Sequence, residues 1–282
     1  MNQYSEITKI TILGDNEIKP GSGLLAEHGF SALIEGSGRR ILFDTGQGAA
    51  LEHNASVLGI DLGSLDCIIL SHGHYDHTGG LLYAIQCTPM VEVVAHPRAL
   101  ASHLVQREND PEPREIGIPF PTDSLAAHGA RFVPVKNFQQ VRPGVWFTGE
   151  VPRKHPTDSD PGLYVRKGTE LVPDRMEDDA SVVIETGSGP VLLLGCAHAG
   201  VTNILDHVQD RMGLDTLHAV IGGTHLNASG REETTAFINA IDAFRVMRIA
   251  PAHCTGSGPA REIEAHFGPR FSKAFAGAVF EF

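Results

Sequence analysis

The chain has 282 residues, of which 41% are hydrophobic and 20% charged, so it can bury a substantial core and wholesale disorder is excluded. Its 34 acidic residues outnumber the 22 basic ones, and the resulting net charge of -12 disfavours nucleic acid as a partner. Fifteen histidines beside one tryptophan are unusual, and because histidine is the commonest metal ligand this composition already indicates a metal site.

Cysteine usage and the N-terminus indicate a compartment. The four cysteines, Cys67, Cys87, Cys196 and Cys254, form no C-x-x-C pair, which favours free thiols in a reducing environment. The first residues, MNQYSEITKITILGDNE, lack the apolar segment of a secretory signal, and no stretch approaches the roughly 20 apolar residues that span a bilayer. We therefore expect a cytoplasmic α/β protein without a membrane partner. The sequence leaves its oligomeric state open.

The first hundred residues alternate strands with helices. Strands are predicted at Ile7–Leu13, Ser31–Glu35, Ile41–Phe43, Cys67–Leu70 and Val91–Ala95, and helices at Ala49–Leu58 and Leu81–Ile85. The run Cys67–Leu70 is wholly apolar, which is typical of a strand buried on both faces.

An insertion at about 97–165 has a different character. Prolines recur through it and long apolar runs are few, so we expect an irregular segment with short strands at Arg131–Val135 and Val145–Phe147. We expect it to form a substrate wall or lid on a single domain spanning residues 1–282.

Regular alternation returns from Ala180 onward. Strands are predicted at Ser181–Glu185, Val191–Leu194, His218–Ile221 and Arg248–Ala250, and helices at Val201–Met212, Glu232–Phe244 and Ala260–Phe267. Paired strands followed by alternating helices and strands, in both halves, indicate two packed sheets with helices on both outer faces.

Four potential metal ligands fall within six residues after the strand Cys67–Leu70. They are His72, His74, Asp76 and His77. In an extended loop, residues two apart point to the same side, so His72 and His74 can bind one cation. Asp76 and His77 can turn toward a neighbouring cation as the chain enters a helix. This spacing predicts a metal site.

Further histidines follow other apolar strands. His198 in LLLGCAH, His253 in IAPAHCTG and His225 in VIGGTHL each stand between a strand and a helical stretch. Because α/β folds gather their sites at the ends of strands, we expect these histidines to be ligands or neighbours of the ligands.

The motifs around these residues resemble a known family. SHGHYDHTGGL resembles the H-x-H-x-D-H signature of the metallo-β-lactamase superfamily, and LFDTG at Leu42–Gly46 resembles its first motif. LAEHGFSALIE, ILFDTGQG, LLLGCAHAGVTNI, VIGGTHL and PAHCTG are together similar to the branch named for dihydropterin–aminobenzene phosphate synthase. Many members of that branch are called only metal-dependent hydrolases. The resemblance implies a four-layer αββα sandwich with a binuclear metal centre at one edge.

The resemblance also implies roles for individual residues. His72, His74, Asp76, His77 and His253 match metal ligands, and Asp44 matches an aspartate that supports the site from behind the ligands. Two motifs depart from the family. The chain reads DRMEDDA at 174–180, where a Gly-His pair is expected, and Cys196 stands in place of the bridging aspartate. We therefore expect His198 to serve as the third ligand of the first metal. Asp178, Asp179, Cys196 and His225 are candidates for the bridge or for substrate contact.

An imidazole-rich site with one carboxylate suits one or two zinc ions, with iron, manganese or nickel as other possible occupants. His74 stands where redox members of the superfamily carry a glutamate, which favours hydrolytic or transfer chemistry. Such a cation lowers the pKa of water from 15.7 to about 7, and Asp76 is expected to orient that water as the catalytic residue.

Three functions remain open at this point. The first is hydrolysis of an ester, lactone, thioester or phosphoester. The second is transfer of a dihydropterin methyl group from a diphosphate, with basic residues of the insertion holding phosphate; these are Arg98, Arg107, Arg114, Lys136, Arg153 and Lys154. The third is a catalytically silent metal-binding regulatory module, which the intact H-x-H-x-D-H disfavours. The expected partner is a small molecule, phosphorylated in the second case.

Overall fold

The computed structural model describes residues 7–157, 161–227 and 229–282. Its strands are β1 (Lys9–Gly14), β2 (Ser31–Gly36), β3 (Arg39–Phe43), β4 (Cys67–Ile69), β5 (Glu92–Ala95), β6 (His103–Val105), β7 (Arg114–Glu115), β8 (Arg131–Pro134), β9 (Gln139–Arg142), β10 (Val145–Phe147), β11 (Leu163–Lys167), β12 (Glu170–Pro173), β13 (Ser181–Ile184), β14 (Val191–Leu194), β15 (Ala219–Gly223), β16 (Arg248–Ala252) and β17 (Val279–Glu281). Its α-helices are α1 (Ala49–Val57), α2 (Tyr75–Thr78), α3 (Leu81–Cys87), α4 (Thr122–Ala127), α5 (Val201–Met212), α6 (Arg231–Ala243) and α7 (Ser257–Phe267).

The strands form two large sheets and one small one. The first sheet has the order β17-β1-β2-β3-β4-β5-β8, and the second has the order β16-β15-β14-β13-β10-β9. From β3 to β8 the neighbouring strands of the first sheet are parallel, as are β14, β15 and β16 in the second. The small sheet has the order β12-β11-β6-β7.

Alternating side chains build the layers. Along β3, Ile41 and Phe43 belong to the core between the two large sheets, whereas Leu42 packs in the cluster under α1 and α3. Along β14, Leu193 faces the same central core while Leu192 packs in the cluster under α5, α6 and α7. Each such aliphatic side chain contributes about 1.5–3 kcal/mol through burial. The expected four-layer αββα architecture is confirmed.

The insertion at about 97–165 is more regular than its prolines indicated. The strands predicted at Arg131–Val135 and Val145–Phe147 are present as β8 and β10, and they extend the first and second sheets. In addition, β6 pairs with β7 and with β11, and β11 pairs with β12 beyond the insertion, which forms the small sheet. Strands this short show no alternating pattern that sequence analysis can detect. Residues 158–160 lie outside the described residues. Within the described part, no helix is long and apolar enough to cross a membrane.

Candidate metal centre

Side chains from both large sheets meet at one edge of the sandwich. Asp44 directly follows β3, and the loop that carries His72 follows β4 in the same sheet. Cys196, His225 and His253 follow β14, β15 and β16 in the other sheet. Because parallel strands end at a common edge, these residues converge although they are far apart in the chain.

The loop after β4 aims its side chains through close backbone packing. A Cβ on Gly73 would lie 2.3 Å from the Ala99 carbonyl oxygen, so only glycine fits there. The Gly73 N–H donates to Asp178 Oδ2 at 2.8 Å, which fixes the extended part of the loop. The Thr78 hydroxyl then donates to the His74 carbonyl at 2.9 Å in the short helix α2. This turn places Asp76 and His77 beside the first two histidines, and the ring centroid of His77 lies 4.2 Å from that of His72.

A first cluster consists of His72, His74 and His198. Their ring centroids lie 4.6 Å (72–74), 5.0 Å (72–198) and 5.1 Å (74–198) apart. The Nε2 atoms of all three are buried and have no hydrogen-bond partner among the residues that the structure describes. Burial lowers the pKa of His74 to about 4, and it lowers the pKa values of His72 and His198 well below their usual range. Three neutral imidazoles with free nitrogen lone pairs fit a divalent cation.

A second cluster consists of Asp76, His77 and His253. The Nε2 atoms of His77 and His253 are 3.2 Å apart, and they lie 3.6 and 3.3 Å from Asp76 Oδ2. Two ligands of a tetrahedral zinc ion lie about 3.3 Å from each other, because each is 2.0–2.1 Å from the metal. Burial opposes ionisation of both Asp76 and His77. Their mutual attraction nevertheless holds the Asp76 pKa well below its usual range and, together with Asp44, raises the His77 pKa to about 9.

Cys196 lies between the two clusters. Its Sγ is 3.2 Å from His77 Nε2. It also lies within 4.8 Å of a ligand atom of every other cluster residue except His74. Burial, reinforced by the neighbouring Cys254 thiol, raises the pKa of Cys196 well above its usual value. The thiol is therefore protonated in the metal-free protein.

Asp44 supports both clusters from behind. Its Oδ2 lies 2.7 Å from His77 Nδ1 and accepts the Ser71 hydroxyl at 2.7 Å. Ser71 Oγ is in turn 2.9 Å from His72 Nδ1. His77 Nδ1 donates directly to this carboxylate, and His72 Nδ1 donates to the Ser71 hydroxyl oxygen. In the neutral rings the proton is therefore on Nδ1, and Nε2, the atom that faces the site, is unprotonated. Asp44 itself adopts φ 55°, a left-handed conformation that aspartate tolerates better than most residues.

The other loops are held equally tightly. His253 has φ 48°, and its backbone N–H donates to Asp15 Oδ1 at 2.8 Å while its Nδ1 lies 2.8 Å from Asn16 Oδ1. Ala197 and His225 also have positive φ angles, of 59° and 54°. Backbone strain of this kind persists only where the surroundings over-determine it, and it concentrates at functional sites.

The remaining candidates lie beside the clusters. Asp178 binds the Gly73 N–H, as described, and Asp179 Oδ2 accepts the Ala199 N–H at 2.8 Å. Burial raises the pKa of Asp179 to about 6. The His225 ring lies 4.1 Å from that of His198, and its backbone N–H donates to Cys254 Sγ at 3.3 Å. Both aspartates thus hold the backbone of ligand-bearing loops.

The basic residues expected to hold phosphate are mostly engaged elsewhere. Arg98, Lys136 and Lys154 form ion pairs with Glu177, Glu150 and Asp210, respectively. Arg153 donates to the backbone carbonyls of residues 175 and 176. Arg114 is exposed and lines a cavity of about 820 Å³ beside α2.

Sequence reasoning missed several residues near the clusters. His28 Nε2 lies 3.3 Å from Asp76 Oδ2. His103, in β6, lies 2.7 Å from Asp174 through Nδ1, and its ring is 5.5 Å from that of His74. Asn16 contacts His253, as described above. The motif LAEHGF could have drawn attention to His28, but no spacing connects residues 16, 103 or 174 to the H-x-H-x-D-H run.

Comparison with known proteins identifies the family. The model of the metallo-beta-lactamase superfamily matches residues 25–253, which include both clusters. The chain therefore belongs to the metallo-β-lactamase superfamily.

Individual relatives cover nearly the whole chain. It is 31% identical to the 7,8-dihydropterin-6-methyl-4-(beta-D-ribofuranosyl)-aminobenzene-5'-phosphate synthase of Methanocaldococcus jannaschii, covering 97% of this chain and 96% of the synthase. It is also 31% identical to the uncharacterized protein MJ0448 of the same organism, covering 88% of this chain and 90% of that protein. The crystal structure of Tm1679, described as a metal-dependent hydrolase of the β-lactamase superfamily, superposes with a TM-score of 0.84 at 27% identity, covering 98% and 99% of the two chains.

Proposed function

We propose that this member of the metallo-β-lactamase superfamily is a metal-dependent hydrolase acting on a small molecule with an ester bond, most favourably a phosphoester. The observation that carries this proposal is the pair of adjacent ligand clusters. The first brings together three imidazole rings whose buried Nε2 atoms have no hydrogen-bond partner among the described residues, and the second holds ligand atoms at coordination spacing.

The clusters assign the ligands. His72, His74 and His198, whose rings lie together, would hold one cation, and Asp76, His77 and His253 would hold the other, with Cys196 close to both clusters as a further candidate ligand. The donor set of imidazoles, one carboxylate and one thiol suits zinc. A cation held there supplies Lewis acidity, which lowers the pKa of water to about 7 and polarises a phosphoryl or carbonyl oxygen.

The chain's own residues prepare the site for that chemistry. The hydrogen bonds from Nδ1 of His72 and His77 toward Ser71 and Asp44 keep Nε2 unprotonated in the neutral rings. Asp76, whose pKa is held low, is ionised at neutral pH and can orient a water molecule through its carboxylate. The burial of His72 and His77 excludes bulk solvent from the inner side of the site.

Charge favours an anionic substrate. The two clusters contribute one carboxylate, from Asp76, while the histidines bind as neutral groups. With two divalent cations and one thiolate bound, the ligands leave a net positive charge that a phosphate group neutralises. A neutral lactone or ester would leave that charge uncompensated.

Turnover by the zinc-loaded protein tests this proposal. We expect hydrolysis of phosphomonoesters or phosphodiesters in preference to lactones and thioesters of similar size, and loss of turnover in His74→Ala. His207→Ala is the matched control, because His207 is a buried histidine on α5 that contacts the Thr148 carbonyl rather than the clusters. Zinc binding without turnover of any ester would contradict the proposal.

A second candidate is the synthase reaction, favoured by the 31% identity over 97% of the chain. In this case the bound cations would neutralise a departing diphosphate, and the cavity of about 820 Å³ lined by Tyr75, Arg114 and Phe120 would receive the aromatic acceptor. Incubation with a dihydropterin diphosphate and an aminobenzene riboside phosphate distinguishes the two. A coupled product with little generic hydrolysis supports the synthase, and hydrolysis without coupling supports the hydrolase.

A further inference from the structure

His28 lies at the mouth of the second cluster. Its Nε2 is 3.3 Å from Asp76 Oδ2, and its ring centroid is 5.1 Å from that of His253. The side chain of His28 is 55% exposed, whereas that of Asp76 is 9% exposed. The imidazole therefore covers the carboxylate on its solvent side.

The backbone that carries His28 is fixed against the start of α1 and against α2. The preceding Glu27 accepts backbone N–H groups of residues 47, 48 and 50 at 2.9, 3.2 and 2.9 Å. After it, the Phe30 N–H donates to the Asp76 carbonyl at 3.2 Å. A Cβ on Gly29 would lie 2.5 Å from that same carbonyl oxygen. The Cα atom of His28 is therefore held beside α2, within reach of Asp76.

Asn16 determines which nitrogen of His28 carries the proton. The Gly29 N–H, which can only donate, lies 3.3 Å from Asn16 Oδ1, and this fixes the orientation of the amide. Asn16 Nδ2, also a donor only, then lies 3.5 Å from His28 Nδ1. His28 Nδ1 is therefore the acceptor, and the proton of the neutral ring is on Nε2, the atom beside Asp76.

We infer that His28 is a substrate-binding donor, whose Nε2–H binds Asp76 in the free protein and an anionic phosphate oxygen of the substrate in the complex. A protonated Nε2 has no lone pair for a cation, so His28 is not a metal ligand. The inference rests on the proposed function for the class of substrate.

Binding of inorganic pyrophosphate to the zinc-loaded protein tests this inference without requiring turnover. By titration calorimetry we expect about tenfold weaker binding in His28→Ala, the value for a partly exposed hydrogen bond to a charged group. His28→Gln keeps an N–H donor at similar reach and should retain most of the affinity. The control is His128→Ala, because His128 is an exposed histidine at the end of α4 that contacts only the Ser124 carbonyl among the contacts described. Zinc content is measured in parallel and should be equal in all four proteins.

Three results would overturn the inference. If His28→Ala bound pyrophosphate as tightly as the wild-type protein, His28 would not contact the phosphate. If His28→Ala and His28→Gln lost affinity equally, His28 would not act as a hydrogen-bond donor. A lower zinc content in His28→Ala would make the residue a ligand instead. Failure of the proposed function is separate, since it would appear as absent turnover in the wild-type protein with pyrophosphate binding unaffected.

Discussion

Asp44 Oδ2 lies 2.7 Å from His77 Nδ1, and both side chains are fully buried. The same oxygen accepts the Ser71 hydroxyl, so one carboxylate orients a histidine in each cluster. The two sites are therefore coupled through a residue that faces neither of them.

Asp44→Asn should weaken zinc binding about 10- to 100-fold, the usual cost of losing a partner behind a metal ligand. Asparagine tolerates the left-handed backbone at this position, so the effect would come from the lost charge rather than from strain. Competition with a chromogenic chelator measures the affinity. Unchanged affinity would show that Asp44 serves the fold alone.

His198→Ala should remove one of the two ions while the other stays bound. Its Nε2 is one of the three unpartnered atoms of the first cluster, and two imidazoles alone hold zinc weakly. The metal-to-protein ratio after loading and desalting gives the result, with His207→Ala as the control. A full complement of zinc in His198→Ala would place the third ligand elsewhere, with Asp179 as the next candidate.

Cys196→Ser should abolish the thiolate-to-cobalt absorption of the cobalt-substituted protein. Cys196 Sγ lies between the clusters, and a divalent cation deprotonates a thiol that it coordinates. Cys87→Ser, which alters a half-buried thiol at the end of α3, is the control and should keep the band. If neither variant nor the wild-type protein showed such a band, Cys196 would be a packing residue.

The buried pair of His103 and Asp174 should make the stability of the metal-free protein depend on pH. Burial opposes the charges, but the hydrogen bond between the two raises the His103 pKa to about 9 and lowers that of Asp174. The contribution from His103 is thus complete below pH 6.5 and is lost as the pH rises through about 9.

Urea unfolding of the wild-type protein and of Asp174→Asn tests this dependence. At pH 6 the substitution should cost about 3 kcal/mol, the lower value for breaking a buried ion pair, and at pH 10 it should cost much less. Asp210→Asn breaks an exposed pair with Lys154 and serves as the control, with little effect at either pH. An equal loss at pH 6 and pH 10 for Asp174→Asn would contradict the assignment.

The sequence predicted the parts of the site that are local in the chain. His72, His74, Asp76 and His77 share one loop, so their spacing alone indicated that they act together. His198 and His253 were placed by the apolar strands that precede them. The four layers could be predicted from the order of strands and helices along the chain. The strands themselves were recognisable because a strand that is buried on both faces has a continuous apolar sequence.

What the sequence could not show are contacts made only by tertiary packing. His28 reaches Asp76 because the segment before β2 packs on α2, and no periodicity connects residues 28 and 76. Asp178 and Asp179 were named as candidates for the bridge or for substrate contact, and the structure adds that Oδ2 of each accepts a backbone N–H of a ligand loop. Such contacts depend on the directions of side chains, which composition and spacing do not encode.

The most direct test of the account is a crystal structure of the zinc-loaded protein with anomalous data collected on both sides of the zinc edge. We predict two peaks, one bonded to Nε2 of His72, His74 and His198, and the other to Asp76, His77 and His253. No anomalous peak at these histidines, with their rings turned away from one another, would contradict it.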